Sequence, residues 1–314
     1  MKTYKYLNIS ILALFLVLVL NSCQDFFIKE LDVPRQDLDN QLVVHAFISD
    51  IDSTIEFKIA KNFGLDAVFE EAESLINGAT ISLFKGGDEL YNIEQNADTS
   101  YRIDLEQNFG YSDENFRIEV LHPDYEKAVI ETYMPEFVMP ESLVFTKNGG
   151  FANPNGSESL DLLQITIDDP ADEENYYELQ IHQVIIDSEE IIFGEDTFVI
   201  ETRYPDNYFS PDGNLDQGIS GLLISDQIFN GQKYNIQIML NRYEESEEIP
   251  VEKLRVSWNC ISKDHFDYSK SLLQYQRSSG FGLFSDPIAV YSNVENGLGV
   301  VSLRSTRILP VEEN

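Results

Sequence analysis

Basic residues are scarce in this chain: 21 lysines and arginines stand against 55 aspartates and glutamates, a formal charge of −34. A field of that sign repels phosphate backbones and anionic headgroups, which excludes nucleic-acid binding. Histidine is thin as well, with His45, His122, His182 and His265 far apart in the sequence. That spacing offers no local zinc or copper site, which takes three or four imidazole or thiolate ligands. His-Glu-x-x-His, Gly-x-Ser-x-Gly, a glycine-rich phosphate loop and Cys-x-x-Cys are all missing, so no metalloprotease, serine-hydrolase, nucleotide or thiol-redox signature is available. His45 and His182 fall inside strand-like runs and read as structural. A carboxylate pair for sugar hydrolysis cannot be picked out, because its defining distance is spatial. The apolar run at 9–20 falls short of the roughly 20 residues of helix that span a bilayer.

That run has a meaning of its own. Lys2 and Lys5 precede it, and it stops at Leu20-Asn21-Ser22-Cys23. The layout is that of a secretory leader, and the four residues resemble the bacterial lipobox. The resemblance implies that residues 1–22 are removed and that Cys23 is acylated through its thiolate. A lipid anchor attaches a protein to a membrane without crossing it. Removal would take two lysines and leave 19 basic against 55 acidic residues, a charge of −36. Residues 23–40 are polar, contain Pro34 and show no clean period, so they read as a tether. With Cys23 lipidated, Cys260 is the remaining thiol and no disulfide forms within the chain. It lies in the apolar run 254–261, where a buried, inert thiol is expected over a reactive one.

From residue 41 the chain is a series of short Val-, Ile-, Phe- and Tyr-rich runs parted by turn residues. At 54–60, Ile55, Phe57 and Ile59 alternate with Thr54, Glu56 and Lys58, the pattern of a strand with one wet face. Asn77-Gly78 and Lys85-Gly86-Gly87-Asp88 mark turns, and the runs at 79–84 and 89–93 pair as a hairpin. With further runs at 42–48, 100–105, 115–121 and 127–133, about seven strands predict an immunoglobulin-like β-sandwich over 41–137. Pro135 and Pro140 suit an extended connector, which sets the boundary near 138.

The second part, 138–314, is also β-rich, with runs at 160–167, 176–184, 190–193, 197–200, 233–240 and 253–262. Residues 263–278 depart from the strand period. They place His265, Tyr268, Leu272 and Tyr275 on one helical stripe, with Ser262 as N-cap and Gly280 beyond the end. This predicts one amphipathic helix packed on a sheet, with a partner-binding helix as the alternative. The expected fold is therefore all-β: a sandwich plus a second β-rich domain carrying one helix.

The acidic turns at 168–175 and 206–216 do not match the twelve-residue calcium loop. They read as solvated turns, with calcium as the alternative. The segment 204–221 reads as a long loop, and Tyr204, Tyr208 and Phe209 make it the candidate binding loop. Asn296-Gly297-Leu298-Gly299 is expected to form a tight turn before a last strand at 300–303.

At 286–300, Asp-Pro-Ile-Ala-Val-Tyr-Ser-Asn-Val-Glu-Asn-Gly-Leu-Gly-Val resembles the closing motif of the DUF4249 lipoproteins of Bacteroidota, a family of unknown function. The stretches 224–234, 256–272 and 77–83 also resemble family positions, whereas Val300-Val301-Ser302 departs from the family pattern. The resemblance implies an outer-membrane lipoprotein, on a face left open, often found alongside TonB-dependent receptors, with an N-terminal β-sandwich and no assigned catalytic residues. The expectation is a non-catalytic accessory or binding subunit whose partners are the membrane, through lipid on Cys23, and a β-barrel receptor. It has no cofactor besides that lipid. A free-standing glycan- or peptide-binding lipoprotein is the alternative, and a hydrolase the least favoured.

Overall fold

The computed structural model describes residues 40–62, 75–95, 101–151, 159–171, 173–184, 191–193, 196–198, 200–203, 208–209, 215–240, 254–279 and 288–314. Cys23, the tether before residue 40, and Tyr204 lie outside the described residues.

The expected runs form strands, and short strands that the alternation does not mark join them at 142–146, 208–209, 215–217, 222–225 and 312–313. The first part holds β1 (Leu42–Ser49), β2 (Thr54–Lys61), β3 (Thr80–Lys85), β4 (Asp88–Glu94), β5 (Tyr101–Asp104), β6 (Phe116–Leu121) and β7 (Ala128–Thr132). The next stretch holds β8 (Ser142–Thr146), β9 (Asp161–Asp168), β10 (Tyr176–Val184), β11 (Ile191–Phe193), β12 (Asp196–Phe198), β13 (Ile200–Arg203) and β14 (Tyr208–Phe209). The rest comprises β15 (Leu215–Gln217), β16 (Leu222–Ser225), β17 (Lys233–Leu240), β18 (Leu254–Ile261), helix α1 (Lys263–Ser279), β19 (Gly297–Pro310) and β20 (Glu312–Glu313).

The protein is mostly strand with one α-helix among the described residues, as the periodicity predicts. A long sheet runs β15-β16-β10-β18-β19-β1-β2-β5, with β13 also on β10. Two smaller sheets, β4-β3-β6-β7 and β14-β17-β9-β8-β20, supply the opposing layers. The first core lies between β1, β2 and β3, β6, β7, and gathers Leu42, Val44, Ile55, Phe57, Leu83, Phe116, Ile118 and Ile130. The second lies between β10, β16, β18 and β8, β9, β17, around Tyr177 stacked on Trp258.

Alternation in β19 shows how one strand serves both cores. Val301 and Leu303 enter the first core and Leu309 packs against the second. Between them Ser305 donates to the carbonyl of Pro135 (2.5 Å) and Arg307 lies over the Phe137 ring (4.9 Å). The connector is tied down there, since Trp258 Nε1 donates to the Val138 carbonyl (3.0 Å) and the Val138 amide donates to Cys260 Sγ (3.2 Å). The opposite face of the same strand, Ser302 and Arg304, looks toward α1.

The helix begins where expected. Ser262 Oγ accepts from the His265 amide (3.3 Å), and Phe266 and Tyr268 are buried with His265. The far end of the predicted stripe does not pack: Tyr275 is 47% exposed.

Two expectations change. The segment 204–221 is not one loop, since β14 pairs with β17 and β15 with β16 inside it. The glycines at 297–299 do not make a turn but form the start of β19, which is far longer than 300–303. Asn296 (φ 58°) makes the bend, and β19 then pairs in parallel with β1 from Leu42↔Gly297 to Ser49↔Arg304. Gly299 sits at φ 106°, and a Cβ there would stand 2.2 Å from the Val44 carbonyl oxygen.

Gly87, at φ 98° on the β3–β4 turn, has open space where a Cβ would go. Both alanine variants bear the left-handed cost, about 1–2 kcal/mol, but only Gly299→Ala must also push β1 aside. Urea unfolding is expected to place Gly299→Ala at least about 2 kcal/mol below Gly87→Ala. Equal midpoints would show that the ladder does not need the glycine.

Candidate functional site

Two places in the fold gather polar side chains beyond what a strand face requires. The first is an open groove where one core gives way to the other. A concavity of about 860 Å3 is walled by Phe84, the Gly86-Gly87 turn, Asp113, Glu114, Arg117, Glu131 and Tyr133. A second, of about 290 Å3, shares Asp113, Asn115 and Tyr133 with it and continues past Tyr111 and Glu136 to Glu173, Glu174 and Tyr176. Tyr111 and Tyr133 stand 48% and 41% exposed, large rings left in water on the groove wall.

The walls are acidic. Arg117 is the basic residue among those lining either concavity, and it is paired with Glu119 (2.9 Å) and Glu131 (3.1 Å). Partial burial, and then the charges of Glu136, Asp113 and Glu173, raise the Tyr111 phenol above its ordinary value. Burial likewise raises Tyr133, with Asp264 and Glu173 adding to it against the Lys263 backbone amide. Such a groove offers ring faces and carboxylate acceptors, which suit a ligand rich in hydroxyls or carrying positive charge.

The second place is closed and lies between α1 and the long sheet. Glu178 on β10 is fully buried, and so, to within 1%, are His265 on α1 and Ser302 on β19. His265 Nδ1 is 3.0 Å from Ser302 Oγ, and its Nε2 is 3.8 Å from Glu178 Oε1. Arg304 brings a guanidinium 3.6 Å from Glu178 Oε2, and Asn259 Nδ2 donates to the Glu178 carbonyl at 3.2 Å. Burial opposes the Glu178 carboxylate, yet His265, Arg304 and a hydrogen bond from Ser220 outweigh it and hold the group below the usual carboxylate range. Although serine, histidine and glutamate stand in line, all three are shut away from solvent, so no substrate reaches them.

The residues of the closing motif serve this helix. Tyr291 OH donates to Asp264 (2.5 Å), the Tyr291 amide donates to Ser271 Oγ (2.8 Å), and Asn293 Nδ2 reaches Asp264 (3.3 Å). Asn293 also exchanges two bonds with the Val301 backbone, at 2.8 and 3.1 Å, on the edge of β19 that β18 leaves open. Glu295 then bridges to Val129 of β7. These side chains work as a strap over helix and sheet.

Other residues singled out in the sequence fare differently. Tyr208 and Phe209 lie on β14, but their side chains, like Tyr204 and the side chain of His182, are outside the described residues. His45 is half-buried beside Tyr268 (3.4 Å to its hydroxyl); burial, then Lys58, lowers it. Cys260 is buried and its thiol is pushed up to about 12, chiefly by burial, so it is protonated and inert. In the 168–175 turn, Asp169 accepts from the Tyr177 hydroxyl (2.5 Å) and the Gly231 amide (3.1 Å), and Asp226 accepts from the Asn175 amide (2.6 Å). Those carboxylates brace backbone, and the described residues hold no cluster of three acidic, histidine or cysteine side chains placed for a metal. Sequence periodicity could not find the groove, because its walls come from five separate segments.

The family model for a domain of unknown function, DUF4249, matches residues 28–307. The chain belongs to the DUF4249 family. No curated protein matches it. Among solved structures it is similar to a Parabacteroides merdae β-glucuronidase, at 10% identity with a TM-score of 0.21, over 70% of this chain and 23% of that one. It is also similar to a collagen adhesin of S. aureus, at 8% identity with a TM-score of 0.20, over 86% of this chain and 94% of that one. Similarities this slight carry no argument about this DUF4249 chain.

Glu178 makes a pH prediction. Its carboxyl lies below the unfolded value, so the stability it contributes is present above about pH 4.3 and is lost as pH falls through the folded value. Glu178→Gln is expected to cost on the order of 3 kcal/mol at pH 7 and to narrow its deficit toward pH 3. Urea titrations of both proteins at several pH values test this; a deficit that does not change with pH would remove the charge from the account.

Proposed function

We propose that this DUF4249 protein is a non-catalytic binding subunit, held to the outer membrane by lipid on Cys23 and working beside a TonB-dependent β-barrel receptor. The observation that supports the binding role is the groove: exposed Tyr111 and Tyr133 among Asp113, Glu136 and Glu173. Two exposed rings side by side with carboxylates form a recognition surface. The membrane role rests on the leader and the Leu-Asn-Ser-Cys pattern. The receptor is the expected partner because of the family resemblance.

A free-standing glycan- or peptide-binding lipoprotein is the second reading, favoured by the same tyrosines, which can stack on sugar rings. Recovery from solubilised membrane separates the two, since only an accessory subunit carries a β-barrel protein with it.

Palmitate labelling is expected to mark the wild-type chain in the membrane fraction, while Cys23→Ala is unmarked and released. An unmarked wild-type chain would end the anchoring proposal. Tyr111→Ala with Glu173→Gln is expected to lower partner or glycan binding about tenfold, near 1.4 kcal/mol, with unchanged unfolding. Undiminished binding would take the groove out of the function.

A further inference from the structure

The joint beneath α1 leaves four buried polar atoms without a protein partner: Glu178 Oε1, His265 Nε2, Ser269 Oγ and Arg304 Nε. Their residues belong to one neighbourhood. Glu178 faces His265 at 3.8 Å and Arg304 at 3.6 Å, and Ser269, 1% exposed, follows His265 by one turn on the same helix face. A buried polar atom without a partner costs about 1–3 kcal/mol. Several of them side by side indicate a bound group that satisfies them together.

The separation between Glu178 Oε1 and His265 Nε2 is too long for a direct hydrogen bond. It is short enough for one small molecule to touch both atoms. The chemistry around it selects that molecule. A metal cation would find a single carboxylate and would face the Arg304 guanidinium, while an anion would face fully buried Glu178. A neutral molecule with two donors and two acceptors fits: it donates to Glu178 Oε1 and bonds His265 Nε2 whether or not that nitrogen carries a proton.

We propose that the Glu178–His265 joint is an internal water site, with Ser269 Oγ or Arg304 Nε as the third partner of the bound water. Two to four polar partners are what a buried water requires. The first turn of α1 is then fastened to β10 through solvent and to β19 through the direct His265–Ser302 contact. Phe266 packs with Tyr176, Leu223 and Ile261, and the Phe47 ring stands edge-on to His265 (5.2 Å). The same water adds a donor to those that His265, Arg304 and Ser220 already bring to the buried Glu178 carboxylate.

The test uses the unaltered protein first. A crystal structure at about 1.5 Å is expected to show a density peak ~2.6–3.2 Å from both Glu178 Oε1 and His265 Nε2. A site with no peak, or a His265 ring bonded directly to Glu178, would overturn the proposal. Water-to-protein cross-relaxation in solution should give a signal from long-lived water to the His265 ring protons in the wild type. That signal should vanish in Glu178→Gln while the water contacts of the neighbouring Tyr268 ring stay as they were, and its persistence there would show that the water is not held by Glu178. Absence of the signal in the wild type is a second result that would overturn it.

Discussion

The parallel ladder between β1 and β19 is the constraint on which the remaining structure depends. It joins residues 42–49 to residues 297–304 and thereby turns two sets of strands into one long sheet. Parallel neighbours cannot be linked by a tight turn, so the whole intervening chain acts as the crossover. Close contact at its start is possible because Gly299 has no side chain to meet Val44. Once β19 is seated, its remaining length supplies the partner for β18 and closes the second core.

The helix is a consequence of that sheet and not an appendage. The outer face of β10, β18 and β19 carries Glu178, Asn259, Ser302, Arg304 and Thr306, groups that cannot be left against an apolar cover. Helix α1 answers with His265 and a capped first turn, and with Phe266 where the sheet turns apolar. The strap from Tyr291 to Glu295 then ties Asp264, Val301 and Val129 into one unit. A motif recognised from its glycines and aromatics thus has a mechanical role in the fold.

Strand positions, the β3–β4 hairpin and the helix with its Ser262 cap were legible in the sequence, because each is written in a local period or a turn residue. The pairing of β1 with β19 was not, since nothing in residues 42–49 names a partner some 250 positions away. Gly297 and Gly299 looked like turn residues for the same reason: a glycine signals a backbone need, and close approach of a distant strand leaves the same mark as a bend. His265 was legible as part of a stripe but not as a polar one, because Glu178 and Ser302 come from other strands. The groove escaped altogether. Tyr111, Tyr133 and Glu173 share no periodicity and meet only after two cores are set side by side.

The placement of β19 also orders events in time. Leu42 finds its neighbour only when Gly297 has arrived, so the widest hydrogen-bonded layer is the last to be finished. Closing so large a loop is slow compared with forming a hairpin. Until then β1 shows a bare edge on which another chain could pair. A protein wired in this way gains from a chaperone that shields residues 42–49 until residues 297–304 are in place.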